Sequence, residues 1–243
     1  MDTIHTLGFC GVMLLAYLIE ATLGFGGTVT ALPLCSMIVG IHIAIPAITA
    51  IVCAAALMIL VHDRAYVEKR AYTVMFLLMV LGMPIGMAAY SCLPERPLKL
   101  ALGIFTILVA LKGLFWHDRR KKTEKRIGFR YYVCLFLGGV IHGAFSCGGV
   151  LAVIYANRAI TDKRSYRVTL SAIWFSLNLL LTLKNIVTGS MTLPAARLSV
   201  CGLPFVAAAV MAGNRMISRL NTKTFGTAVY VMLLVSGCLQ VLR

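Results

Sequence analysis

The sequence is poor in acidic residues and in charged residues generally. Only 8 of its 243 residues are Asp or Glu, and charged residues of both signs make up 13% of the chain. A soluble domain is roughly 45–50% apolar and carries about 25% charged residues, whereas 60% of this chain is hydrophobic. So apolar a chain cannot cover its core with polar surface, which excludes most soluble enzymes and any disordered role. We therefore expect an integral membrane protein.

Closely spaced cysteine pairs are also absent. None of the 8 cysteines belongs to a C-x-x-C motif, and nearly all of them lie inside apolar runs. This pattern argues against a disulfide framework or a zinc site. We accordingly expect no metal and no cofactor.

Long apolar runs dominate what is present. Spanning a hydrocarbon core of about 30 Å takes about 20 helical residues. Two runs, 4–39 and 131–157, are interrupted by the glycine pairs Gly26-Gly27 and Gly148-Gly149. The other runs each fit one crossing helix; they are 43–61, 72–93, 98–116, 166–187, 193–213 and 225–242. The sequence therefore predicts an all-α, polytopic membrane protein with two broken helices.

The two halves of the chain resemble each other. An offset of 122 residues aligns Gly26-Gly27 with Gly148-Gly149 and Thr49 with Ser171. Between the halves lies the one extended polar stretch, 117–130, which holds seven Lys and Arg residues. We predict a first transmembrane repeat over 1–116, a basic cytoplasmic linker over 117–130, and a second transmembrane repeat over 131–243.

The positions of the basic residues favour one topology. If each interrupted run were a single span, two basic segments would face outward, against the positive-inside rule. If each is a hairpin, four segments holding 17 of the 23 Lys and Arg residues share the cytoplasmic side; they are 63–71, 117–130, 158–167 and 213–223. Each half is then a broken-helix hairpin plus three transmembrane helices. The halves form an inverted-topology repeat, an arrangement common in secondary transporters.

The glycine pairs predict an anion site. A new helix should begin after each pair, with unpaired N–H groups and the positive end of its dipole at membrane depth. Two such ends would suit an anion, whereas the alternative is close packing of helices through small residues. The candidate substrate-binding residues are Gly26, Gly27, Thr28, Thr49, Ser146, Gly148, Gly149, Ser171 and Asn178. For the polar side chains among them, interhelical hydrogen bonding is the alternative.

Two ionisable residues precede the glycine pairs by the same distance. Glu20 lies six residues before Gly26, and His142 lies six residues before Gly148. An ionisable residue inside a membrane is costly and is by default a functional candidate. His142 could supply positive charge to an anion, and Glu20 could take up a coupling proton. The alternative is a structural hydrogen-bonded pair.

The glycine motifs resemble those of a known family. The segment Gly24-Phe25-Gly26-Gly27-Thr28, followed by Pro33, and a second copy over 143–149 are similar to the TauE/SafE family, described as sulfite and organosulfonate exporters. The order and spacing of these motifs carry the resemblance, which covers nearly the whole chain. It implies a multi-pass inner-membrane protein that moves a small sulfur-containing or carboxylic anion outward.

We therefore expect a transporter of a small anion that works by alternating access and is not an enzyme. Its partners would be the anion and membrane lipid, with no nucleic acid, and a homodimer stays open. One alternative is a non-transporting membrane scaffold or assembly protein. Another is an intramembrane enzyme with a thiol–imidazole pair of Cys147 and His142. The five-residue spacing of that pair separates the side chains by about 140° on a helix, which suits direct contact poorly.

Overall fold

The protein is helical throughout the part described by the computed structural model, which covers residues 3–23, 26–115, 127–216 and 222–242. These ranges hold α-helices, one 3-10 turn and short connections, with no strand among them. The helices are α1 Thr3–Leu23, α2 Gly27–Val39, α3 Ile41–Asp63, α4 Lys69–Cys92, α5 Glu95–Phe115, α6 Phe129–Phe145, α7 Gly149–Ala159, α8 Lys163–Val187, α9 Leu193–Met216 and α10 Thr222–Leu242. The predicted all-α class is confirmed.

Each apolar run predicted to cross the membrane once forms one helix, within a few residues of the predicted bounds. Six of the described helices are long and apolar enough to span a bilayer, namely α1, α3, α4, α5, α8 and α9. The helices α2 and α6 are apolar but shorter. The protein is accordingly a multi-pass membrane protein.

The two interrupted runs each form a pair of helices. The first run divides into α1 and α2, which pack against each other, and the second divides into α6 and α7, which do the same. Three long helices follow each pair, so the order of elements is the same in both halves. The inverted orientation of the halves stays a prediction.

The helices group into two compact units. Unit 1 contains residues 1–51, 93–117 and 185–243. Within it α1 packs against α2 and α9, and α5 packs against α10. The helices α5 and α10 approach closely at Gly103 and Gly237, because a Cβ on either glycine would lie 3.0 Å from the carbonyl oxygen of the other.

Unit 2 contains residues 52–92 and 118–184, and its main contact is between α4 and α6. These two helices touch backbone to backbone through glycines four residues apart, Gly82 and Gly86 on α4 and Gly139 and Gly143 on α6. A Cβ at any of these positions would overlap a carbonyl oxygen of the facing helix. Small residues at this spacing let helices approach closely where no hydrophobic effect draws them together.

Helix α4 has two distinct apolar faces. Met75, Met79 and Met83 are buried, whereas Leu77 and Leu81 are more than half exposed. Contiguous exposed apolar surface on a long helix is expected where the helix faces lipid.

Both units draw helices from both sides of the polar stretch 117–130. Each unit contains one of the broken pairs together with helices from the other half of the chain. The predicted division at 1–116, 117–130 and 131–243 follows the internal duplication and stays a prediction. Residues 117–126 of the predicted linker lie outside the described residues.

Two of the basic segments meet within unit 2. The guanidinium of Arg164 bonds to Asp63, with 3.2 Å between Nε and Oδ1. The backbone N–H of Glu68 donates to Thr169 Oγ1 at 2.9 Å. The segments 63–71 and 158–167 therefore lie at the same end of unit 2, as the hairpin topology requires and a succession of single spans does not allow.

Candidate functional site

At the first break, in unit 1, a carboxyl side chain bonds to the start of the following helix. Gly26 has a φ of 99°, a left-handed conformation that favours glycine, and α2 begins at Gly27. The N–H of Gly27 donates to Glu20 Oε2 at 3.0 Å. A Cβ at Gly27 would overlap this oxygen, so a larger residue here would require the Glu20 carboxylate to shift. Glu20, near the end of α1, thus caps the positive end of the next helix.

Three polar side chains in unit 1, those of Tyr17, Thr30 and Ser236, are buried without a hydrogen-bond partner among the described residues, and the first two lie on α1 and α2. The hydroxyl of Tyr17 belongs to a residue that is 2% exposed, and that of Thr30 to one that is 1% exposed. Tyr17 lies one helical turn before Glu20 and interacts with it electrostatically. Leaving such groups unpaired in an apolar interior costs free energy, so each deserves an explanation.

The second break, in unit 2, has a different backbone. Helix α6 ends at Ser146, which has a φ of 58°, an uncommon conformation for a residue with a side chain. Helix α7 begins at Gly149 after Gly148, and a Cβ at Gly148 would overlap the carbonyl of Gly138. The N–H groups of Gly149 and Val150 have no acceptor within the described part of the chain. This helix start is therefore open, in contrast to that of α2.

His142 lies beside the start of α7. It is 1% exposed, and neither ring nitrogen has a hydrogen-bond partner among the residues that the structure describes. Its Cβ is 2.8 Å from the position that a Cβ on Gly148 would take. Its ring stacks on that of Trp174, with 6.0 Å between the centroids, and the Trp174 ring also lies against Gly149. An imidazole with free nitrogens thus adjoins a helix start with free N–H groups.

A hydrogen-bonded chain holds Ser146 in place. Its Oγ donates to Asn178 Oδ1 at 2.6 Å, and Asn178 Nδ2 donates to the carbonyl of Trp174 at 2.8 Å. Asn178 therefore ties the second break to α8 and orients the Trp174 backbone. Strained residues supported in this way are typical of functional sites.

The structure brings together some of the predicted residues. In unit 1, Gly26, Gly27 and Glu20 are neighbours; in unit 2, His142, Ser146, Gly148, Gly149 and Asn178 are neighbours. The hydroxyls of Thr49 and Ser171 donate to carbonyls of their own helices, and Thr28 is half-buried. Of these predicted residues, the unit 2 group is the one with unused polar atoms.

Sequence reasoning passed over Tyr17, Thr30 and Trp174. The positions of Tyr17 and Trp174 carried a usable signal, since each lies three or four residues from a predicted site residue on the same helix. Such residues share a helix face.

The thiol–imidazole alternative lacks its contact. Neither nitrogen of His142 bonds to the Cys147 thiol, and both residues are buried. Covalent catalysis would need these groups within hydrogen-bond reach.

The described residues form helices without strands, with six candidate spans and two helix pairs broken at glycines, and this arrangement defines a polytopic membrane protein. Residues 9–239 match the family model described as Sulfite exporter TauE/SafE. The chain belongs to this family, which is a family of sulfite and sulfonate exporters. No curated protein and no solved structure matches the chain.

Proposed function

We propose that the protein exports a small oxyanion of the sulfite or organosulfonate class across the inner membrane by alternating access. The observation that carries the proposal is His142, a buried imidazole with two unpartnered nitrogens beside the open start of α7. Membership of the exporter family supports the substrate class and the direction.

The start of α7 offers the donors that an oxyanion needs. The N–H groups of Gly149 and Val150 and the positive end of the helix dipole attract negative charge. His142 adds a ring N–H donor, and a full positive charge when protonated. Trp174 forms one apolar wall beside these donors. The anion would thus exchange its hydration shell for fixed donors.

A basic end of unit 2 supports an approach from the cytoplasm. The guanidinium of Arg158, at the end of α7, donates to the hydroxyl of Tyr131 at 2.9 Å, and that of Arg130 lies 5.1 Å from the centre of the same ring. Clustered positive charge raises the local concentration of anions and speeds their association. The alternative is that these basic residues are ordinary solvated charges with no role in attracting anions.

Efflux from proteoliposomes tests the proposal. Vesicles loaded with sulfite or methanesulfonate should lose the anion faster with the protein than without it. His142→Ala should reduce this flux at least tenfold, because the ring N–H donor is lost. His5→Ala, at an exposed position near the N-terminus, is the matched control and should retain it. Unchanged flux in His142→Ala would refute the site.

The same measurement separates the alternative functions. Absence of flux for a whole panel of small oxyanions would favour a scaffold or assembly role. Proton coupling through Glu20, a homodimer and the roles of Thr28, Thr49 and Ser171 stay predictions.

A further inference from the structure

The starts of α2 and α7 differ in the hydrogen-bond partners of their first N–H groups. At α7 the first N–H groups have no acceptor within the described residues, whereas at α2 the first N–H is bound to the Glu20 carboxylate. In unit 1 the place that suits an anion thus already holds a carboxyl group, supplied by the chain itself.

The first break accommodates this carboxylate closely. Glu20 comes from the preceding helix, so it crosses the break to reach Gly27, and a Cβ on Gly27 would displace its carboxylate from this position. The buried hydroxyl of Tyr17, with no hydrogen-bond partner among the described residues, lies within electrostatic reach of it. A buried donor is therefore left unused on α1, one helical turn before the residue whose carboxyl group occupies the start of α2.

We propose that Glu20 is a tethered anion that competes with the transported oxyanion for the start of α2. A carboxylate and a sulfite or sulfonate group present similar pairs of oxygen acceptors to an N–H group. Two negative charges at one helix start repel each other, so the free anion binds there only when the Glu20 side chain has moved away. Tyr17 then supplies a hydrogen bond to the incoming anion. The inference rests on the proposed function for its ligand class.

Replacing Glu20 by alanine should convert the tethered site into one for free anions. Purified Glu20→Ala should unfold at a lower temperature than the wild type, because the cap of α2 is lost. Formate or sulfite should restore several degrees in a saturable way, whereas chloride at equal ionic strength should not. We expect anions that bind at the start of α7 to raise the Tm of the wild type as well. The quantity to compare is therefore the additional increase in Tm that Glu20→Ala shows over the wild type.

Gly27 provides a specific control. In Glu20→Ala/Gly27→Ala the added methyl group occupies part of the space of the carboxylate, so the rescue by formate should disappear. In Glu20→Ala/Gly11→Ala it should persist, because a Cβ at Gly11 meets nothing within 4 Å. Rescue that is absent in Glu20→Ala, or equal in both double variants, would overturn the proposal.

Glu20→Gln tests the competition during transport itself. The same variant replaces Glu20→Ala in the stability measurement if Glu20→Ala does not fold. The neutral amide is a weaker competitor, so the KM for sulfite efflux should fall about two- to fivefold, given the usual strength of charge–dipole interactions at helix ends. An unchanged or higher KM would contradict competition. Absence of flux in the wild type would refute the proposed function, while the rescue experiment would still decide the nature of the α2 site.

Discussion

Replacing His142 by leucine should stabilise the protein and abolish transport. The two side chains have similar volumes, but leucine has no polar atoms to leave unpaired. A histidine that serves the fold would show the opposite effect, because its replacement would break hydrogen bonds. The sign of the change in stability therefore separates a binding residue from a structural one.

The expected magnitude follows from the unpartnered nitrogens of His142. A buried polar group without a partner costs about 1–3 kcal/mol, and the imidazole carries two such groups. Imperfect fit of leucine costs up to about 1.5 kcal/mol, and the stacking on Trp174 is worth about 0.5–1.5 kcal/mol. Taken at their midpoints, these terms give a net stabilisation of about 2 kcal/mol. For a chain of this size this raises the Tm by at least about 2 °C.

Thermal unfolding of purified protein in detergent, without added anion, measures this change. Asn178→Leu is the matched control in the same unit. Asn178 accepts a hydrogen bond from Ser146 and donates one to Trp174, so its loss should lower the free energy of unfolding by about 1–3 kcal/mol. The two variants should therefore shift the Tm in opposite directions, although both should reduce sulfite efflux.

A lower Tm for His142→Leu, comparable to that of Asn178→Leu, would refute the reasoning. It would mean that the imidazole makes stabilising hydrogen bonds in the folded protein. Full sulfite efflux by a His142→Leu variant with a raised Tm would instead show that the unpaired nitrogens have no role in transport.

Three further outcomes are expected. Gly86→Ala should lower the free energy of unfolding by about 1–3 kcal/mol, because its Cβ would overlap the carbonyl of Val140, whereas Gly11→Ala should be neutral or slightly stabilising in the same thermal scan. Asp162→Ala should lower the Tm at neutral pH, because Asp162 accepts a hydrogen bond from the Ser165 N–H at the start of α8. That bond lowers the pKa of Asp162 below its ordinary value of 3.8, so the stabilisation is present above this value and is lost as the pH falls below it; an Asp162→Ala deficit that persists in acid would contradict the cap. In intact cells, a membrane-impermeant thiol reagent should label Arg96→Cys from outside and should leave Thr161→Cys unlabelled, and labelling of Thr161→Cys would defeat the hairpin topology.

Much of the helical framework could be predicted from the residues alone. Lipid provides no hydrogen-bond partners for backbone polar groups, so long apolar runs form helices, in which these groups bond to each other. The breaks were predictable for the same reason, since Gly26-Gly27 and Gly148-Gly149 interrupt runs too long for one crossing. The helices α2 and α7 begin at Gly27 and Gly149, the second glycine of each pair, within one residue of the predicted start after the pair.

The roles of Glu20 and His142 could not be predicted from spacing. Each lies six residues before its glycine pair, yet the Glu20 side chain bonds to the backbone at its break, whereas the ring nitrogens of His142 bond to none of the described residues. The difference comes from backbone conformation. The left-handed residue is Gly26 at the first break and Ser146 at the second, so the following helix starts are presented differently to the side chains before them.

The sequence by itself determined that this protein is a helical membrane protein, where its helices break, and which family it resembles. Those properties depend on composition and on local periodicity, because the apolar bilayer interior selects directly for long apolar helices. Only the tertiary structure decided which helix start is capped, which imidazole is left unpaired, and that α4 and α6 meet through four glycines. Such features depend on the distances between side chains of different helices, and no pattern along a single chain specifies those distances.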